Sequence, residues 1–413
     1  MLNQETIAII KSTVPVLEKQ GTAITKAFYK RLFTTNPDLK NVFNQTNQKK
    51  SSQQVALANM VYHAAKYIDK LETIDRAIEG VAHKHRSIGI RPDQYPIVGE
   101  NLLAAIKEVL GDAATDEIMN AWAEAYGELA KYFINKEENM RAELEAKGGW
   151  DGYKEFVVDR KVSESEVITS FYLKPKDGKK LPEFIPGQYL GVKVSPPDQD
   201  YTQIRQYSLS DAYNPEYYRI SVKKESGRDH LPDGIVSSYL HESIKEGDTL
   251  LISAPSGDFT INFNTDRPIV LLSGGVGLTP LMSMMKTWAS QNPSQPLTWI
   301  HAAVNGRLHA FKRDVNALNE AHGELIAFTV YERPTLEDVR NEDFEKEGFI
   351  DLAWLKENVP DKDADFYFCG PEPFMKVMFN GLLEWGVPED HIHFEFFGPS
   401  AALREQEIET LAN

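Results

Sequence analysis

One cysteine, Cys369, stands in 413 residues. No internal disulfide can form, and nothing in the chain calls for an oxidising compartment. Long apolar runs are missing too: none approaches the roughly 20 residues of a membrane-spanning helix, so no stable membrane anchoring is expected. The opening Met1-Leu2-Asn3-Gln4-Glu5-Thr6 lacks both the basic start and the apolar core of a secretory signal. Basic residues are in deficit: 45 Lys and Arg against 61 Asp and Glu give a formal net charge of −16. That balance argues against nucleic acid and anionic lipid surfaces as partners. The expectation is a cytoplasmic monomer, and the length suits about three domains.

Strand signals are absent from the first third. Apolar spacing with polar caps predicts helices near 5–19, 21–35, 51–69, 72–88, 93–110 and 115–145, with a loop from Asn36 to Lys50. Lys147-Gly148-Gly149-Trp150-Asp151-Gly152 then breaks the helical pattern, and from Tyr153 the period becomes alternating. Glu155–Arg160, Val167–Leu173, Tyr189–Val194 and Tyr217–Val222 read as short strands separated by turns such as Lys176-Asp177-Gly178. Ser256-Gly257-Asp258-Phe259 closes this region with turn residues. Pro268–Ser273 is continuously apolar, as a parallel strand buried on both faces should be. Leu297–His301, Leu325–Val330 and Asp365–Phe368 alternate with helices, which predicts an open α/β sheet.

Four groups carry chemistry. Arg205-Gln206-Tyr207-Ser208 presents a guanidinium able to grip a diphosphate, a flat ring and a hydroxyl. Tyr189, after the Pro186-Gly187-Gln188 turn, opens a strand beside it. Gly234-Ile235-Val236-Ser237 opens a helix whose free amides suit phosphate. Gly274-Gly275-Val276-Gly277-Leu278-Thr279 follows a buried strand and leads into a helix at Thr279-Pro280, the order in which a glycine loop holds pyrophosphate. Cys369-Gly370-Pro371 ends a further strand, where ligands of open parallel sheets sit. Taken alone Cys369 reads as a small buried residue, not a nucleophile.

In this order and spacing, Tyr153 to Pro399 resembles the ferredoxin–NADP reductase family. The resemblance implies that Tyr189, Arg205 to Ser208 and Gly234 to Ser237 seat FAD. It implies that Gly274 to Thr279 and Cys369 to Pro371 seat NADH or NADPH. Glu395-Phe396-Phe397-Gly398-Pro399 matches the family's C-terminal signature, in which an aromatic covers the flavin and Glu395 tunes it. After His301, Asn305-Gly306-Arg307 is a place where a 2′-phosphate could be received, which leaves NADH and NADPH both open.

The helical third resembles a globin. Phe43 follows the Asn36-Pro37 corner; Gln53 and Leu57 are four apart and share a face that Val61 and Ala64 extend. Val81-Ala82-His83-Lys84-His85-Arg86-Ser87 places histidines late in a helix that ends before Gly89. Three histidines compete. His63 lies about 240° round the helix from Leu57, and His83 points nearly opposite to His85. From the residues alone, His85 is as readily a surface or core histidine as an iron ligand.

A globin joined to such a reductase resembles the flavohaemoglobins. That resemblance implies haem b on His85, with Lys84 beside it and Phe43 and Leu57 against the porphyrin. Tyr95 and Glu137 match the family's proximal pair, a carboxylate acting through a phenol toward the imidazole. Tyr29 and Gln53 fall on the distal side. Read singly, Tyr29 is core and Tyr95 a buried tyrosine tied to a glutamate.

The architecture expected is all-α, then β, then α/β. The globin domain takes 1–146, a linker 147–152, an FAD-binding antiparallel β-barrel 153–262, an open parallel NAD(P)-binding domain 263–400 and a tail 401–413. The implied function is a nitric oxide dioxygenase that spends NAD(P)H and dioxygen to turn nitric oxide into nitrate. Its rivals are an NAD(P)H-dependent flavin reductase or oxidase whose helical domain docks an acceptor, and a haem-based oxygen or redox sensor.

Overall fold

The computed structural model describes residues 2–43, 52–227, 232–359 and 361–397. The chain forms two compact units, one of Met1–Tyr153 with Lys193–Arg205, the other of Lys154–Val192 with Gln206–Phe397.

In the first unit, described residues before Tyr153 contain helices and turns but no strand. The helices are α1 (Gln4–Thr35), α2 (Ser52–Lys66), α3 (Asp75–Ile88), α4 (Tyr95–Leu110) and α5 (Asp116–Ala146). The break expected between 19 and 21 does not occur. A Cβ on Gly21 would lie 3.4 Å from that of Ala58, so this glycine lets α2 come close and does not end a helix. A glycine inside a helix costs about 1 kcal/mol relative to alanine. The stripe Ile10, Leu17, Ile24, Phe28 and Leu32, buried along the whole of α1, offsets that several times over, at ~1.5–3 kcal/mol per side chain. Asn3 caps the start by accepting from the Thr6 amide at 2.8 Å. The segments expected at 72–88 and 93–110 each open with a short 3-10 turn, Leu71–Ile74 and Pro92–Gln94, before the α-helix begins.

The end of α3 is fixed by glycine chemistry. Gly89 takes φ 79°, a left-handed cap. The Ile90 amide then donates to the His85 carbonyl at 2.9 Å. On the other flank, the Asp75 carboxylate accepts from Tyr132 Oη and Lys136 Nζ, both at 2.6 Å. These bonds tie α3 to α5 and set which residues of the two helices face each other.

The second region opens with strands β1 (Tyr153–Ser163), β2 (Ile168–Pro175), β3 (Tyr189–Val194), β4 (Gln203–Ser208), β5 (Tyr218–Lys223) and β6 (Thr249–Ser253). They form one sheet in the order β4-β3-β6-β1-β2-β5. The β1–β2 and β2–β5 pairs are antiparallel. A bridge between Leu209 and Ile220 joins the two edge strands, so the sheet closes into a barrel. Gly187 takes φ 104°, and a Cβ there would meet the Phe259 carbonyl oxygen at 1.9 Å, so only glycine makes this turn before β3. Helix α6 (Ile235–Glu242) comes between β5 and β6 in the chain. Lys161 Nζ donates to the carbonyls of Leu240, His241 and Ile244 at its C-terminal end, where a cation is favoured.

The remaining strands, β7 (Ile269–Gly274), β8 (Leu297–Ala303), β9 (Leu325–Tyr331), β10 (Lys346–Glu347), β11 (Asp365–Cys369) and β12 (Ile392–Glu395), run parallel in the order β10-β9-β8-β7-β11-β12. Every residue of β7 and β11 is buried. Helices α7 (Leu278–Gln291), α8 (Lys312–Ala321), α9 (Leu336–Asn341), α10 (Leu352–Asn358) and α11 (Glu372–Trp385) connect them. Ile168, Phe259 and Ile261 of the barrel pack in one apolar core with Leu281, Met284, Trp288 and Trp299 of the parallel layer.

Candidate functional site

Three residues from α3, α4 and α5 meet around one carboxylate. Glu137 is completely buried. Its Oε1 accepts from Tyr95 Oη at 2.6 Å and stands 2.8 Å from His85 Nδ1. Tyr95 Oη is also 3.1 Å from that nitrogen. The expected relay from carboxylate through phenol to imidazole is therefore replaced by a direct one, in which the carboxylate touches both partners. Burial, reinforced by the Glu137 charge, drives the Tyr95 phenol far above its ordinary pKa, so it remains a donor. With the carboxylate accepting, Nδ1 carries the proton and Nε2 is the nitrogen able to ligate a metal. The imidazole is 28 % exposed, unlike its partners, so one edge stays open. Tyr126 Oη donates to the Tyr95 carbonyl at 2.5 Å, and Phe133 lies beside both rings. This set fits haem: the ligand ring is oriented from behind and free in front.

The residues expected opposite gather separately. Tyr29 is buried, with Phe43 edge-on at 5.7 Å and Phe33 stacked at 5.8 Å. Leu57 and Val61 join them in one apolar cluster, and Gln53 is half-buried on the same helix. His63 is buried and stacks on Tyr67, while Lys84 is exposed.

In the barrel, Arg205, Gln206, Tyr207 and Ser208 form the second half of β4, with Ser208 buried and the other three partly open. The Tyr189 amide and carbonyl pair with Ser256 at 2.8 and 3.0 Å, and its ring lies against Gly257. Gly234 caps α6 without a side-chain bond, so the first amides of the helix are not taken by a capping side chain. Val236 and Ser237 are buried, so at the start of this helix backbone amides, not these side chains, are the groups suited to an anion.

At the end of β7, the Gly275–Gly277 turn leads into α7. A Cβ on Gly275 would meet nothing within 4 Å, whereas one on Gly277 would sit 2.1 Å from the Cys369 carbonyl oxygen. One glycine keeps the loop open and the other lets it touch the end of β11. Val276 is partly exposed, and Leu278 and Thr279 are buried. Gly370 is buried and Pro371 exposed at the mouth of the same strand end. Burial, and then the Glu395 charge, push the Cys369 thiol well above its usual pKa, so it stays protonated. Cys369 pairs in register with Glu395 on β12. Phe396 is partly buried and Phe397 is 46 % exposed. Gly398, Pro399 and the tail 401–413 lie outside the described residues.

Several partners were not anticipated. Arg141, one turn after Glu137, lies 3.7 Å from its Oε2 and donates to the Ile90 carbonyl at 2.8 Å. The four-residue spacing was the available signal. Asp338, buried on α9, accepts from the Gly306 amide at 3.2 Å and fixes the turn that carries the exposed Arg307. Ser273, just before the glycine loop, bonds His301 Nδ1 at 2.7 Å, and His309 Nδ1 lies 2.9 Å from Tyr331 Oη. Burial lowers both imidazoles, His309 to about 3, so both are neutral near pH 7.

Comparison with known proteins identifies the same three domains. The globin family model matches residues 26–133, the oxidoreductase FAD-binding domain 155–261 and the oxidoreductase NAD-binding domain 271–379. The flavohemoprotein of Bacillus thuringiensis subsp. konkukian is 53% identical over 405 residues, covering 98% of this chain and 100% of its own length. That of Halalkalibacterium halodurans is 54% identical over 404 residues, covering 97% and 98%. The crystal structure of a flavohemoglobin from Malassezia yamatoensis, with bound FAD and heme, superposes with a TM-score of 0.84 at 26% identity, covering 96% of this chain and 100% of that one. The FAD/NAD-binding domain of a nitric oxide dioxygenase from Vibrio cholerae matches with a TM-score of 0.55 at 41% identity, covering 60% and 99%.

Proposed function

Because the chain belongs to the flavohemoprotein family and is an oxidoreductase with globin, FAD-binding and NAD-binding domains, we propose that it is a nitric oxide dioxygenase. Two molecules each of nitric oxide and dioxygen become two nitrates, and one NAD(P)H supplies the two electrons, leaving NAD(P)+ and a proton. When bound, FAD takes up a hydride and returns single electrons, and haem iron supplies the oxygen chemistry.

The observation that carries this reading is the Glu137 carboxylate, held in contact with both His85 and Tyr95. His85 Nε2 would hold the haem iron, and Glu137 would raise the basicity of the imidazole through Nδ1. Tyr95 holds the carboxylate in place, and its own carbonyl is fixed by Tyr126. A passive oxygen store has no use for such an electron-donating ligand or for a reductase in the same chain. Tyr29 and Gln53 orient the oxygen substrate, with Phe43 and Leu57 confining the porphyrin and Lys84 beside its ligand.

Arg205 grips the FAD diphosphate, assisted by the Gly234–Ser237 amides, while Tyr189, Gln206, Tyr207 and Ser208 hold the ribityl and ring portions. The backbone from Gly274 to Thr279 receives the nicotinamide dinucleotide's pyrophosphate. Cys369, Gly370 and Pro371 bound the nicotinamide, with Glu395, Phe396 and Phe397 at the flavin side. The nitric oxide dioxygenase name of the Vibrio cholerae neighbour supports the reading. Its test is consumption of nitric oxide by the purified protein with NADH or NADPH. Nitrate should form at two per nucleotide oxidised. Nucleotide oxidation that continues unchanged when nitric oxide is added, with no nitrate, contradicts it.

A further inference from the structure

A cluster of charged side chains that neither cofactor site absorbs joins the barrel to the parallel layer. The turn after β4 carries Ser210 and Asp211, three residues beyond Ser208. The Asp211 carbonyl accepts from Ser283 Oγ of α7 at 2.8 Å. The Asp211 carboxylate lies 3.2 Å from Lys286 Nζ on the same helix and 3.7 Å from Arg219 Nε on β5. Tyr217 Oη donates to it at 3.3 Å. Lys286 reaches on to Asp314 of α8 at 2.8 Å. Arg219 also donates to Ser210, through Nε to Oγ at 3.2 Å and through its terminal nitrogen to the carbonyl. Its guanidinium covers the Phe311 ring at 4.7 Å. Phe311, at the start of α8, holds a left-handed φ of 62°.

Arg219 and Asp211 have side chains only 2 and 13 % exposed. Taking such charges out of water is costly unless geometry and hydrogen bonds compensate, and an apolar contact would serve stability as well. What an ion cluster adds is direction. These acids and bases, with Glu164 after β1 also facing Arg219, Lys286 and Asp314, fix a turn, a strand and two helices at defined distances. The turn so fixed follows the β4 residues assigned to the flavin. The helix so fixed begins immediately after the glycine loop assigned to the nucleotide. Hydride transfer needs its two reacting atoms about 3–3.5 Å apart, and a displacement near 1 Å costs on the order of a hundredfold in rate.

We propose that Asp211, with Ser283, Lys286 and Arg219, is a positioning residue for hydride transfer, setting how far the nicotinamide stands from the flavin. The inference rests on the FAD and nucleotide sites proposed above, not on the chemistry at the iron. In the full-length protein, Asp211→Asn and Lys286→Met should lower the thermal midpoint, since each leaves a nearly buried charge unpaired, yet stay folded with full FAD content at the assay temperature. Mixed anaerobically with saturating NADH, and in parallel with NADPH, they should bleach the flavin about 10- to 100-fold more slowly. The long-wavelength charge-transfer absorbance of the flavin–nicotinamide pair should weaken in step. Ser283→Ala, the mildest change, should shift both readouts in the same direction, and Lys286→Arg should restore them. Unchanged limiting rates and charge-transfer absorbance overturn the proposal, as does a slowing that only follows lost FAD. A wild-type flavin that neither nucleotide bleaches sinks this inference together with the sites it rests on. Absence of nitrate formation with normal bleaching contradicts only the dioxygenase reading.

Discussion

Replacing His85 with alanine should remove the Soret band of the purified protein, while NADH should still reduce an artificial acceptor such as ferricyanide at close to the wild-type rate. The first half follows from the local geometry: Nε2 of this ring is the nitrogen left open once Nδ1 is committed to Glu137. Among the other histidines of this region, His63 is buried against Tyr67. The second half follows because the residues proposed for the FAD and nucleotide sites include none from α3. Nitrate formation should fall to background. Glu137→Gln separates holding the iron from tuning it. An amide can still accept from Nδ1, so haem stays bound, but a neutral acceptor leaves the imidazole less basic. The iron–histidine stretching frequency of the ferrous form should drop, and nitrate turnover should fall about 10- to 100-fold. A His85→Ala protein that keeps both its Soret band and nitrate formation removes the ligand assignment.

Gly277→Val should abolish NADH-driven flavin reduction, by roughly a hundredfold or more, with FAD still bound. A Cβ at this position would lie 2.1 Å from the Cys369 carbonyl oxygen and 2.7 Å from the Gly370 nitrogen. Both neighbours are backbone and cannot rotate aside. The loop must lift from the end of β11, which would carry it off the position proposed to meet the pyrophosphate. Overpacking of this kind also costs about 1–3 kcal/mol in stability. Gly275→Ala is the matched control. It strains a backbone at φ 54° but meets nothing within 4 Å. It should cost only about 1–2 kcal/mol and leave nucleotide binding much closer to wild type. Stopped-flow bleaching of the flavin band, with a thermal melt beside it, measures both. Equal rates for the two variants would show that the loop does not depend on this close approach.

Much of this was legible because it rests on local rules. The glycine loop after an apolar run, the left-handed cap at Gly89 that ends α3, and the change of period at Tyr153 each follow from a few neighbouring residues. What escaped depends on partners distant in sequence. Gly21 reads as a break until Ala58 is beside it. The strands β6 and β12 were not anticipated, and their pairing partners in the two sheets define them. Within the proximal group, the residue types were evident but not their order of contact. Only the packing of α3 against α5 places the carboxylate on the imidazole directly. Asp211 and Lys286 carry no signal of their own, since nothing in a single sequence brings a barrel turn against a helix 75 residues later.

The central claim is that one chain carries reducing equivalents from a pyridine nucleotide to haem iron. The most direct measurement is an anaerobic titration of the purified holoprotein with NADH, and with NADPH, followed in the visible spectrum. The flavin band should bleach and the Soret band should shift to its ferrous position in the same experiment, without any added mediator. A flavin that bleaches above iron that stays ferric, or a preparation with no Soret band, contradicts the account.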